Sequence, residues 1–133
     1  MKLHAMYSSD LIARLLLMPL RRTHSEAFCI INVDDAGRYL QFAGNGEALT
    51  IESAGRITYT SDQLDMLDEF NCVLDPESQN WACHYTARDR FSACQLDGFA
   101  QLLTALLVRL HGVRPGQPLV LELGIYLPEA GVP

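Results

Sequence analysis

Residues 27–53 read AFCIINVDDAGRYLQFAGNGEALTIES, and this stretch decides the fold. Residues 27–33 are β-branched, aromatic and little interrupted by polar side chains, which is the composition of a strand. Asp34-Asp35-Ala36-Gly37 follows as a turn in which Gly37 supplies the left-handed conformation. Over residues 38–43, Leu40 and Phe42 fall on one face, with Tyr39 and Gln41 on the other. Asn45-Gly46 is the strongest hairpin signal in the chain, since a type I′ turn needs positive φ at both central residues. Residues 48–53 alternate again, Leu49 and Ile51 inward against Thr50 and Glu52. Three strands joined by such short turns pair as an antiparallel meander.

Helices are expected on either side of the meander. Residues 9–18 follow a capping Ser8 or Ser9, with Asp10 in the first turn, an apolar stripe of Leu11, Ile12, Leu15 and Leu16, and Pro19 as the stop. Residues 61–70 start at a Thr60/Gln63 capping box; Leu64, Met66, Leu67 and Phe70 make the apolar side and Asp62, Asp65, Asp68 and Glu69 the solvated one. A short strand at 71–74 leads through the turn at Asp75-Pro76 to an alternating strand at 81–87, with Trp81, Cys83 and Tyr85 on one face. The clearest helix follows. Ser92 and Gln95 form its capping box, Phe91 and Leu96 a hydrophobic staple, and Phe99, Leu102, Leu103, Leu106, Leu107 and Leu110 its core stripe, until Gly112 ends it. After it, Leu119, Leu121, Leu123, Ile125 and Leu127 alternate over residues 118–127, which predicts either an additional strand or an extended tail. The order is α-β-β-β-α-β-β-α in one domain over residues 1–133: an α+β sandwich with a twisted antiparallel sheet packed against helices, and a possible extra C-terminal strand.

Composition narrows function by exclusion. The 133 residues are 49% apolar and carry 10 Lys+Arg against 16 Asp+Glu, a net charge of −6. That is too apolar for disorder and too acidic for nucleic-acid binding through the global field, and no basic stretch interleaved with aromatics exists. The apolar run 11–20 is half the length of a spanning helix, and Arg21 and Arg22 follow it, where a signal peptide places its charge first. Neither a membrane partner nor a targeting segment is expected. Cys29, Cys72, Cys83 and Cys94 contain no C-x-x-C pair and read as free, mostly buried thiols, which points to the cytoplasm. A zinc site on Cys83 and His84 is disfavoured, because adjacent residues of a strand point to opposite faces. Phosphate-loop, dinucleotide, zinc-protease and nucleophile-elbow motifs are absent, so no cofactor, metal or catalytic residue is expected.

The element order in a small acidic chain resembles the type III secretion chaperone-like superfamily, and within it the TY-Chap branch. The resemblance is carried by Arg38-Tyr39-Leu40-Gln41-Phe42-Ala43-Gly44, by Leu49-Thr50-Ile51-Glu52-Ser53, by Asp75-Pro76 and Asn80-Trp81, and by Phe99-Ala100-Gln101-Leu102-Leu103 through His111-Gly112-Val113. It spans about residues 8–114. It implies a non-catalytic homodimer that holds an extended segment of a client protein on apolar grooves. Leu11, Leu15, Phe28 and Ile30 are then the candidate groove, and Leu64, Leu67, Phe70 and Val73 the candidate dimer face; both sets also read as intramolecular core. The rival reading is an immunity protein that neutralises a toxin, with Asp62, Asp65, Asp68 and Glu69 steering a basic cleft.

Overall fold

The meander forms. In a computed structural model that describes residues 1–23, 25–55 and 57–126, β2 (Glu26–Asn32), β3 (Tyr39–Gly44) and β4 (Ala48–Ser53) pair antiparallel in sequence order. Asp34 closes the first turn as an Asx turn: its Oδ1 accepts from the Ala36 N–H at 2.9 Å, and Gly37 takes φ +86°. The second turn closes the expected β3–β4 hairpin but departs from type I′, since neither Asn45 nor Gly46 has positive φ. Asn45 instead accepts from the Glu47 and Ala48 N–H groups through its side chain, at 2.9 and 3.0 Å. The Gly46 peptide is engaged elsewhere, donating to the Arg22 carbonyl and accepting from the Phe91 N–H. These bonds favour a three-residue loop over a two-residue one. A Cβ at Gly46 would lie 2.6 Å from the Arg90 guanidinium and would displace it from its hydrogen bond to the Leu20 carbonyl.

Around the meander lie β1 (Lys2–Met6), α1 (Ser9–Leu20), α2 (Ser61–Glu69), β5 (Val73–Leu74), β6 (Trp81–Thr86), α3 (Ala93–Ala105) continuing as a π-type turn over Leu106–Leu110, and β7 (Pro118–Tyr126). Both expected capping boxes are present, Thr60 with Gln63 and Ser92 with Gln95. Pro19 does not stop α1. It sits in the last turn, where its missing N–H costs one hydrogen bond, and the helix closes through the Arg21 and Arg22 N–H groups to Leu17 and Pro19.

The described strands form one open antiparallel sheet, in the order β1-β7-β2-β3-β4-β6-β5. The α+β sandwich is therefore as expected, with two additions. β1 is an addition to the expected order: in Lys2–Met6 only Leu3 and Ala5 alternate with polar residues, a pattern too short to predict a strand, and four of its five residues are exposed. The C-terminal segment is neither tail nor edge. β7 inserts between β1 and β2, with Leu121 opposite both Leu3 and Ile31. Leu127 lies outside the described residues.

One face of the sheet carries Cys29, Ile31, Leu40, Phe42, Leu49, Ile51, Cys83, Leu119 and Leu121 into a single core, against Ile12 and Leu16 of α1, Leu67 of α2 and Leu103, Leu106, Leu107 and Leu110 at the end of α3. The stretch Ala93–Leu110 is apolar and long enough to span a membrane by composition alone, but its Leu103, Leu106, Leu107 and Leu110 are buried in this core. The opposite sheet face is uncovered by helices and more polar. There Gln41 and Asn80 both donate to Glu52, at 2.9 and 3.0 Å, while the Tyr39 hydroxyl donates to Asn80 at 2.9 Å. Asn80 is buried and also accepts from the Gly55 N–H, so it stitches the turn before β6 onto β3 and β4. The expected outcome for Asn80→Ala is a loss of about 1–3 kcal/mol, since the Tyr39 hydroxyl loses its acceptor and Glu52 loses one of its two donors; urea unfolding at constant m-value measures it.

Candidate functional site

Where the helix layer ends short of β6, the core is open. β5 pairs with β6 only at Trp81 and Ala82, so beyond Cys83 the outer edge of β6 has no strand partner among the described residues. Beside that edge runs a groove of about 650 Å³, walled by Phe70 and Asn71 after α2, Tyr85 of β6, and Phe91, Phe99 and Leu102 at α3. Its floor is aromatic: Phe91 meets Phe99 edge-on at 4.9 Å between centroids, and Tyr85 meets Phe99 at 5.0 Å. Arg109 closes one end with its guanidinium 5.9 Å from the Phe70 ring centroid, and Glu69 stands at the rim. Burial raises the Tyr85 pKa above its ordinary value, so the phenol keeps its proton at neutral pH. An apolar channel flanked by free backbone donors and acceptors is the arrangement that binds an extended peptide by strand addition.

The residues expected to form a binding groove are not brought together. Leu11 and Leu15 lie half-buried on α1, which packs on the core face. Phe28 and Ile30 alternate with buried Cys29 and Ile31, so they point to the opposite side of the sheet. There they line a smaller hollow of about 210 Å³ with Gln41, Thr50, Glu52 and Tyr126. Gly124 is required in it, because a Cβ at that position would fall 2.3 Å from the Phe28 ring, which lies 4.9 Å from that of Tyr126.

The expected dimer face is dismantled in the same way. Leu67 is fully buried in the core. Phe70 is half-buried under Arg109, Leu64 is exposed on α2, and Val73, opposite Ala82, is exposed on the far face of the sheet. Asp62, Asp65, Asp68 and Glu69, by contrast, stay together as one exposed face of α2, in no ion pair among the described residues.

A buried polar cluster went unnoticed in the sequence. Ser53 Oγ lies 2.7 Å from His111 Nε2 and 3.2 Å from the Tyr59 hydroxyl, which also donates to the Ala54 carbonyl. Ser53 and His111 are buried, and His111 Nδ1 has no partner among the described residues. Burial holds the His111 pKa down at about 4, with Arg38 adding to the effect. A serine–histidine pair used for acyl transfer has a carboxylate on the second ring nitrogen and an exposed hydroxyl; among the described residues no carboxylate bonds His111 Nδ1, and Ser53 is buried. No cluster of three or more His, Cys, Asp or Glu with metal-holding geometry occurs among the described residues.

Sequence reasoning read Phe91, Phe99 and Leu102 as staple and core stripe, and Tyr85 as one face of a strand. The strand expected at 71–74 is only Val73–Leu74 in the structure, too short to cover β6, and no sequence signal marks that shortening. No protein-family model matches the chain, and no curated protein and no solved structure does.

Proposed function

We propose that the chain is a non-catalytic protein-binding module of the secretion-chaperone kind, which acts in the cytoplasm as a homodimer and holds an extended segment of a client protein. The observation that carries this reading is the apolar groove alongside the unpartnered edge of β6. A client strand laid on that edge satisfies backbone groups by pairing and places alternate side chains against Tyr85, Phe99 and Leu102. The resemblance of residues 38–53 and 99–113 to TY-Chap sequences points the same way. The exposed α2 carboxylates favour a second reading, an immunity protein that meets a basic toxin cleft.

The two readings separate by salt and by variant. Affinity capture from the native host compares the wild type with Leu102→Glu in the groove and with a variant neutralising Asp62, Asp65 and Asp68, which leaves Glu69 at the groove rim unchanged. A groove-bound client is expected to survive high salt and the neutral α2 face, and to be lost with Leu102→Glu while the circular dichroism spectrum stays native. Loss with the neutral face and with salt, but retention by Leu102→Glu, selects the immunity reading. A partner retained through high salt, the neutral α2 face and Leu102→Glu eliminates both surfaces. Light scattering behind size exclusion tests the dimer: a monomer at every concentration removes it.

A further inference from the structure

Cys72 and Cys83 face each other across the last step of the β5–β6 pairing. Val73 is opposite Ala82, so Cys72 comes opposite Cys83 on the core side. Their sulfurs are 2.8 Å apart, longer than the ~2.05 Å of a disulfide, and both side chains are buried. Cys83 also donates to the Phe70 carbonyl at 3.6 Å, which leaves its sulfur to accept from the Cys72 thiol. Among the described residues the other two thiols have no such partner: Cys29 is buried in the core of β2, and Cys94 is exposed on α3.

We propose that Cys72 and Cys83 are a reversible disulfide site, oxidised by hydrogen peroxide, that clamps β5 and the end of α2 onto β6. The clamp has something to hold. β5 has two residue pairs, and both of its side chains are exposed, Val73 at 68% and Leu74 at 42%, so little burial secures it. Phe70 and Asn71 of the groove wall lie immediately before Cys72, and Tyr85 lies two residues after Cys83. A bond between the sulfurs therefore ties the two walls of the groove together, whatever the groove binds.

The hydrogen bond from Cys72 lowers the Cys83 pKa and raises that of Cys72, which makes Cys83 the first to ionise. The Cys83 thiolate attacks one peroxide oxygen and breaks the O–O bond, leaving a sulfenic acid and hydroxide. Cys72 then attacks the Cys83 sulfur, forming the S–S bond and expelling the sulfenic oxygen as hydroxide. The two thiol protons convert both hydroxides to water, so the pair loses two electrons and the peroxide gains them. Burial of both sulfurs selects a small oxidant over a bulky disulfide, and a dithiol reagent reverses the bond once local opening admits it.

The test titrates the native full-length chain with hydrogen peroxide, quenches by alkylation in denaturant and maps linkages by mass spectrometry. The expected product is an intramolecular Cys72–Cys83 link that dithiothreitol removes, that survives Cys94→Ser and that is lost with Cys83→Ser. Amide exchange at Val73 and Leu74 is expected to slow at least several-fold on oxidation. Wild-type chain that yields only Cys94-linked dimers, or separate sulfinic acids at Cys72 and Cys83, overturns the proposal, and so does a mapped link that leaves exchange in β5 unchanged. Both mappings use wild-type and Cys94→Ser protein, so a folding failure of Cys83→Ser does not blunt them.

Discussion

Replacing Leu121 with alanine is expected to lower the unfolding free energy by about 2–5 kcal/mol. Leu121 is 1% exposed and sits between Leu3 of β1 and Ile31 of β2. Truncation removes its own transfer free energy and leaves a cavity in the middle of a sheet, where neighbouring strands held by ladder bonds on both sides relax little. Since small domains are stable by about 5–15 kcal/mol, the loss shows as a large fall in urea midpoint. Ile125 of the same strand is 47% exposed, and its alanine variant is expected to cost well under half as much. The pair tests the central placement of β7 directly. If residues 118–126 were a tail laid on the surface, both replacements would be mild and equal.

Acid is expected to destabilise the protein through His111, in a window set by its two pKa values. Burial lowers the pKa from 6.5 to about 4 in the folded chain. Between those values the unfolded chain binds a proton that the folded chain does not, so stability rises with pH across the window. The contribution is complete above pH 6.5, falls as the pH drops and is exhausted near pH 4, a total of about 3 kcal/mol. Urea unfolding between pH 4.5 and 7.5 reads most of it. His111→Leu is expected to abolish this slope while lowering stability at pH 7.5, because Ser53 loses its 2.7 Å partner. An unchanged slope in that variant would refute the assignment. Asp75, whose carboxylate is held below its ordinary pKa by the Glu77 N–H and by Ser78, adds its own acid sensitivity below the window measured.

Much of the architecture was legible because it is local. The strands at 48–53 and 81–87, the Asp34 turn and both capping boxes rest on alternation, on Asx geometry and on a side chain reaching three residues along, all of which are written in contiguous residues. The departures have non-local causes. Asn45-Gly46 carries the composition of a type I′ turn, but the peptide of Gly46 is bonded to Arg22 and Phe91, which the dipeptide cannot disclose. The candidate site was harder to read. The family resemblance groups Phe28 and Ile30 with Leu11 and Leu15 as one groove, although strand alternation opposes Phe28 to the buried Cys29. The groove at β6 is the opening left beside Tyr85 and Leu102 between the end of α2 and α3, and a missing neighbour leaves no mark on the residues it fails to cover. The Ser53–His111 pair joins residues 58 positions apart and has no motif.

What the sequence by itself determined is the kind of elements, their order through the meander and the last helix, and which face of each strand is apolar. Period and capping decide those, and both are properties of neighbours along the chain. Only the tertiary structure decided where β7 goes. Alternating leucines are equally suited to an edge, a tail or a central strand. The choice falls to β1 and β2, which both offer complementary ladders and bury Leu119 and Leu121 between them. The same non-local choice leaves β6 near the other margin of the sheet, under a two-residue β5, with an open groove and two sulfurs in contact.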